Sequence, residues 1–114
     1  MAIEIKNAVI EKVFLGYEGH GVLTFNLILN YGGVIQCFGG YSLWCEKETK
    51  QAVFGVDCIV NVLRVVGVND WDSLVGKSVR VKTDGMIGMI QSIGNYLKDD
   101  WFTPKELAKK YWKE

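Results

Sequence analysis

The sequence predicts an α+β fold, in which an antiparallel sheet of about five strands carries one or two helices packed on one face. Residues 22–31 alternate between apolar and polar side chains, which is typical of a half-buried strand. The patterns follow one another as strands, helix, strands, helix, an order that favours an antiparallel sheet. The chain has 114 residues, 49% of them hydrophobic, and is predicted to form a single domain, 1–114, with a sizeable core.

The first half of the chain is predicted to form three strands. Residues 3–15 alternate imperfectly, and a slip near Ala8–Ile10 indicates a β-bulge. In the strand Val22–Tyr31, one face carries the large apolar residues Leu23, Phe25, Leu27, Leu29 and Tyr31. The pair Gly32-Gly33 then predicts a tight turn into a partner strand, Val34–Phe38.

The second half is predicted to contain a helix and two further strands. The helix runs from Asp57 to Val66, and its apolar face carries Cys58, Ile59, Val62, Leu63 and Val66. Asn69 is expected to cap a short helical turn that stops at Gly76. Ser78–Lys82 and Ile87–Leu97 are the predicted strands.

A last helix is predicted from its start signal. Thr103–Glu106 has the form of a capping box, with Pro104 at the first helical position. The apolar face of this helix is formed by Leu107, Ala108, Tyr111 and Trp112.

The composition argues against several classes of function. Thirteen basic and thirteen acidic residues balance, so no long-range attraction to nucleic acid or to a membrane is expected. Three cysteines without a C-x-x-C spacing and a single histidine, His20, give no metal or cofactor motif and no catalytic constellation, so we expect no enzyme activity. The N-terminus has no signal-peptide pattern, and no apolar run approaches roughly 18 residues, so a cytoplasmic protein is expected.

A first candidate binding site surrounds the pair Gly39-Gly40. Two adjacent glycines at the end of a strand indicate a sharp bend, or a close approach by a ligand or a second chain. Gln36 and Phe38 share one strand face, and Tyr41 follows the glycines. An aromatic ring and an amide suit a nucleobase, which the ring can stack on and the amide can read. Alternatively, Phe38 is a core residue and the glycines form a bulge.

A second candidate site lies before the last helix, at Asn95, Lys98, Trp101, Phe102 and Lys105. The N–H groups at a helix N-terminus attract anions, and the two lysines flank this one. The two rings offer flat faces for stacking. They could equally form the apolar contact that packs the helix on the sheet.

Five segments of the chain carry a resemblance to a known family. They are Ile3–Ala8, Leu15–Gly21, Gln36–Tyr41, Ile93–Asn95 and Lys98–Phe102. On these segments, which are spread over nearly the whole chain, the sequence resembles the first-described Thoeris anti-defence family of phage sponge proteins.

The resemblance implies a specific function. Proteins of that family are not enzymes and need no cofactor. They sequester a cyclic ADP-ribose isomer (glycocyclic ADP-ribose) that a bacterial TIR-domain protein makes during phage infection, and they release it unchanged on denaturation. They self-associate, with ligand held between protomers. Because the chain has only two arginines, Arg64 and Arg80, we expect lysine, asparagine and helix-end N–H groups to contact the pyrophosphate.

Two other functions remain open from the sequence. A phage inhibitor of a host defence protein that acts by direct protein–protein contact would expose a flat apolar or strongly charged surface in place of a pocket. A small nucleotide hydrolase is the third possibility.

Overall fold

A computed structural model describes residues 3–19, 21–41, 43, 51–85 and 89–112. Six strands and two helices lie in these ranges: β1 Ile3–Tyr17, β2 Leu23–Tyr31, β3 Val34–Gly39, α1 Gln51–Val66, β4 Ser78–Asp84, β5 Ile90–Asn95, β6 Trp101–Phe102 and α2 Pro104–Tyr111. A single 3₁₀ turn, Asp72–Leu74, precedes β4. The α+β prediction is confirmed.

The strands form one antiparallel sheet in the order β3-β2-β1-β4-β5-β6. The long strand β1 joins its two halves, because its C-terminal part pairs with β2 and its N-terminal part pairs with β4. The pairing of β1 with β2 shifts register between Ile10 and Lys12, just after the bulge position predicted from the sequence. The shift reverses the alternation of β1, so that Ala8, Ile10 and Val13 all point to the same side of the sheet.

Both helices pack on one side of the sheet, which we call the covered face. Phe54, Cys58, Val62 and Val65 of α1 are buried against it. The core on this face also includes the buried strand residues Ala8, Ile10, Phe25, Leu27, Leu29, Tyr31, Phe38, Val79, Val81, Ile90, Ile93 and Phe102. The predicted apolar face of α2 packs against the same core. We call the other side of the sheet the open face.

Several element boundaries differ from the predictions. The helix α1 begins six residues before Asp57, because Phe54 extends its apolar face into the core by one more turn. The strand predicted at Ile87–Leu97 begins at Ile90 and ends at Asn95, and residues 87 and 88 lie outside the described residues. The sixth strand, β6, is only two residues long and gave no alternation to detect.

Both predicted helix caps are wrong in detail. The Thr103 side chain does not cap α2, because its hydroxyl group pairs with the Ser92 hydroxyl group at 2.6 Å. In the 3₁₀ turn, the side chain that accepts a hydrogen bond from the Ser73 N–H is that of Asp70, at 2.8 Å, and not that of Asn69.

Candidate functional site

The ten residues predicted to bind ligand do not meet in one site. Some lie in the core, some shape the backbone, and the rest are divided between the two faces of the sheet. Their separate positions decide which of them remain candidates.

Phe38 and Phe102 are core residues. Phe38 is 1% exposed and Phe102 is 4% exposed. Their ring centroids lie 6.4 Å apart, and Phe38 also packs on Phe25 at 6.0 Å. Neither ring has a face left for a ligand, so the stacking role expected for both is wrong and their core alternative holds. Gln36 lies half-buried on the same strand face as Phe38.

The pair Gly39-Gly40 serves the backbone. Both glycines have positive φ angles, +128° and +79°. A Cβ atom on Gly39 would lie 2.3 Å from the carbonyl oxygen of Phe25, and the Gly40 N–H donates to that same oxygen at 2.7 Å. The close approach that two glycines indicated is therefore made by the neighbouring strand β2, with no ligand required.

The Asn95 side chain is occupied within the chain. Its amide nitrogen donates to the carbonyl oxygen of Val65 in α1 at 2.8 Å. Its amide oxygen accepts from the N–H groups of Leu97 and Lys98 at 2.9 and 2.8 Å. The ligand contact expected for Asn95 does not fit this geometry, because these contacts use the amide to hold the loop after β5 against α1.

Tyr41 and Lys105 are brought together beside the covered face. They line a cavity of about 260 Å³ with Met89, Ile90, Gln91 and Thr103. The Tyr41 ring packs on Phe25 with the centroids 6.2 Å apart. Burial, and secondarily the charge of Cys58, raises the pKa of Tyr41. This cavity is slightly smaller than the usual range for small-molecule sites, about 300–1,000 Å³.

The open face contains a larger groove that the sequence did not reveal. Its volume is about 420 Å³, and its lining is Asn7, Ala8, Val9, Glu11, Asn30, Gly32, Ser78 and Tyr96. We call it the open-face groove. Strand register explains it, because Val9 lies opposite Asn30 on one side and opposite Ser78 on the other. Three neighbouring strands thus present one amide, one aliphatic and one hydroxyl side chain in a row.

The amide of Asn30 is fixed in the groove. Its nitrogen donates to the Glu11 carboxylate at 2.9 Å, and its oxygen accepts from the Gly33 N–H at 3.0 Å. The exposed side chains of Asn7, Ser78 and Tyr96 lie around it. The groove therefore combines hydrogen-bonding groups with one aromatic ring.

Arg80 lies directly opposite Asn7, one of the groove residues, in the sheet. Its guanidinium group donates to the carbonyl oxygens of Asn95 at 2.9 Å and Lys98 at 2.7 Å. It also lies over the Trp101 ring at 4.9 Å from the centroid, and the Lys82 ammonium group lies 4.3 Å from the same centroid. Two cations are therefore held in place on one ring.

Trp101 itself rests on the sheet at Gly94, where a Cβ atom would come within 2.5 Å of the indole ring. Its indole N–H donates to the Asp99 carboxylate at 2.9 Å. Because the ring is flanked by the sheet and by Arg80 and Lys82, Trp101 positions cations better than it stacks on a base. The exposed Lys98 lies in the adjoining loop.

The loop that carries Tyr96 to the groove is also held at its C-terminal end, at Asp100. The Arg64 guanidinium group in α1 contacts both carboxylate oxygens of Asp100 at 2.5 Å. With the Asn95 and Arg80 contacts, this ion pair fixes residues 95–100 between α1 and the open face.

Neither described thiol is activated as a nucleophile. Burial, with a further contribution from the Asp57 charge, raises the pKa of Cys58 to about 12. Burial also raises the pKa of Cys37, which is exposed on the open face instead of buried like a core cysteine. His20 and Cys45 lie outside the described residues.

In the described part of the chain, no group of three or more His, Cys, Asp or Glu side chains could hold a metal ion. The helices of that part are too short or too polar to cross a membrane. Comparisons with protein-family models, with curated proteins and with solved structures gave no match.

Proposed function

We propose that this protein binds and sequesters a cyclic ADP-ribose isomer, such as glycocyclic ADP-ribose, in the cytoplasm of a phage-infected bacterial cell. The signal would then be withheld from Thoeris immunity without being consumed, and no cofactor would be needed. The resemblance of the sequence to the sponge family supports the proposal. The observation that carries it is the open-face groove, which is lined by amides and a tyrosine ring. The fixed guanidinium group of Arg80 is not part of this lining but lies opposite Asn7, which is.

The chemistry of the groove matches such a ligand in three parts. The exposed amide of Asn7 complements the donor and acceptor on an adenine edge. The exposed Tyr96 ring can stack on a base. In place of the lysine, asparagine and helix-end groups expected from the sequence, Arg80 presents a planar cation suited to a pyrophosphate, and Lys82 adds a second charge beside it. The contacts that hold Arg80 would lower the entropy lost on binding.

Calorimetry tests this proposal. Purified protein is titrated with glycocyclic ADP-ribose, or with filtrate from cells that contain an activated TIR-domain enzyme. The bound fraction is then heated, and the released material is identified by mass spectrometry. We expect heat of binding and release of an intact ligand in stoichiometric amount. Absence of heat and of any nucleotide mass would contradict the proposal, and product in excess of the protein would show an enzyme instead.

The proposal includes self-association of the chain into a homodimer or a larger assembly. Light scattering at micromolar concentration measures this directly. A strict monomer of 12.8 kDa would contradict self-association and the expectation that ligand is held between protomers, but not binding in the open-face groove of a single copy.

A second candidate function, inhibition of a host defence protein by direct contact, is favoured by one observation. The open face exposes the large apolar side chains Ile3, Ile5, Val9, Phe14 and Ile35. Apolar side chains spread over a flat sheet are typical of a protein-binding surface. If the titration gives no heat while the protein co-purifies with a TIR-domain enzyme or its effector, this function replaces the sponge.

A further inference from the structure

The two edge strands of the sheet differ in length, and therefore in how many backbone N–H and C=O groups they leave unpaired. One edge, β6, is two residues long. The other, β3, is six residues long and is last in the strand order, so no described strand pairs with its outer side.

The hairpin geometry identifies the outward groups of β3. Gly32 and Gly33 have φ angles of +66° and +90° and form a two-residue turn, which Tyr31 and Val34 close. In such a hairpin the closing pair exchanges both backbone hydrogen bonds, and the direction of the backbone groups alternates from there. Ile35 and Cys37 therefore direct their N–H and C=O groups away from β2.

Among the described residues, this edge lacks three of the features that usually prevent a strand from pairing with another chain, namely a charge, a proline and a bulge. Its sequence, from Val34 to Gly39, contains no charged residue and no proline. Its pairing with β2 runs without a register shift, so no bulge turns the edge away. Natural sheets normally protect exposed edges by such means. An unprotected edge of this length is suited to pairing with a further strand.

We propose that β3 pairs antiparallel with β3 of a second copy, so that the two sheets become continuous. An uncharged strand meets a copy of itself without repulsion between like charges, and antiparallel pairing is the arrangement that a two-fold axis produces. Ile35, which is 52% exposed, would pack beside Cys37 of the second copy on the open face.

The inference rests on the self-association in the proposed function and is independent of its ligand. No residue of β3 lines the open-face groove, so each copy in the pair would keep its own groove accessible. Failure of the interface and failure of ligand binding are therefore separately observable.

The test is a charge placed on the edge. Ile35→Lys sets a cation beside the symmetry axis, and we expect the dimer dissociation constant to rise at least about tenfold in light scattering, with an unchanged circular dichroism spectrum. Ile35→Thr, which is β-branched and uncharged, should retain the dimer. Ile5→Lys is the matched control, because Ile5 is 56% exposed on the same face but lies on β1. A wild-type monomer, or an Ile35→Lys variant that dimerises like the wild type, would overturn the interface.

A disulfide trap keeps the inference testable if the lysine variant does not fold. In a Cys45→Ser background, oxidation should link Cys37 to Cys37 if the axis lies at Cys37. If the axis lies at Gln36, the Ile35→Cys variant should form the cross-link, through its new thiol and Cys37. Formation of either linked dimer supports the interface. Absence of both, or equal cross-linking of a Val53→Cys variant on α1, overturns it.

Discussion

The two faces of the sheet come from the same strands but differ in kind. On the covered face, side chains such as Leu27 and Val81 are completely buried beneath the helices. On the open face, the neighbouring positions carry asparagine, serine, arginine and lysine among exposed isoleucine and phenylalanine side chains. The covered face is what folding requires. The open face combines a groove, two ordered cations and apolar surface, which folding alone does not require.

The difference indicates where function is to be sought. Phe38 and Tyr96 illustrate it. The Phe38 ring, next to the Gly39-Gly40 pair, is in the core, whereas the ring of Tyr96, which lies within the second candidate segment but was not itself predicted to bind ligand, borders the groove. Aromatic residues near glycines are therefore weak indicators of a ligand site until their strand face is known.

The largest expected effect is on the free energy of unfolding, which should fall much more for a substitution on the covered face than for one on the open face. Phe38→Ala should lower the free energy of unfolding by about 3–5 kcal/mol, because it leaves a cavity in the core. Phe14→Ala on the open face removes the same ring from a side chain that is 43% exposed, and should cost less than about 1 kcal/mol. Urea denaturation measures both. Similar losses for the two variants would contradict the division into covered and open faces.

The next effect distinguishes the two arginines. Arg80→Ala should weaken binding of the cyclic ADP-ribose isomer by about 10- to 100-fold, because it removes the charge-assisted contact to the pyrophosphate. Arg64→Ala removes the same charge from α1, and with it the ion pair to Asp100 that holds one end of the Tyr96 loop. Because exposed ion pairs contribute about 0–1 kcal/mol, this variant should weaken the affinity by no more than about fivefold. Calorimetry on both variants makes the comparison.

Arg80→Lys refines that result, since it keeps the charge but loses the planar fork. Its ligand affinity should lie between those of the wild type and Arg80→Ala. Full affinity in Arg80→Ala, with the fold intact by circular dichroism, would remove Arg80 from the site.

A smaller effect is expected for the groove tyrosine. Tyr96→Ala should weaken ligand binding by roughly tenfold, because stacking contributes about 1–3 kcal/mol per base and an exposed ring provides the lower end of that range. Tyr17→Ala, at an exposed tyrosine near the end of β1, is the control and should leave the affinity unchanged. Equal affinity for both variants would place the base elsewhere.

The sequence predicted the fold far better than the site. The alternation in β2 identified its buried face because five large apolar residues repeat at every second position, and the glycine turn after it gave the hairpin. Arg80 and Asn7 lie 73 residues apart, and no local pattern shows that β1 and β4 are neighbours. The groove depends on that pairing, so it became visible only with the strand order known.

The Tyr41 cavity gives a second example of what the sequence alone could not predict. Tyr41 and Lys105 were both expected to contact ligand, and the structure does bring them together. Their neighbours Phe38 and Asn95, which were expected in the same sites, are engaged in the core and in a loop. Residue type alone could not separate these two groups, because burial and hydrogen-bond partners are set by tertiary contacts.

The most direct test of the account is a nuclear magnetic resonance titration of the labelled protein with glycocyclic ADP-ribose. If the open face carries the function, the largest changes in amide chemical shift should fall on Asn7, Ser78, Arg80 and Tyr96. Changes centred on Tyr41, Gln91 and Lys105 would move the site to the cavity beside the covered face. No change at saturating ligand would contradict the sponge itself.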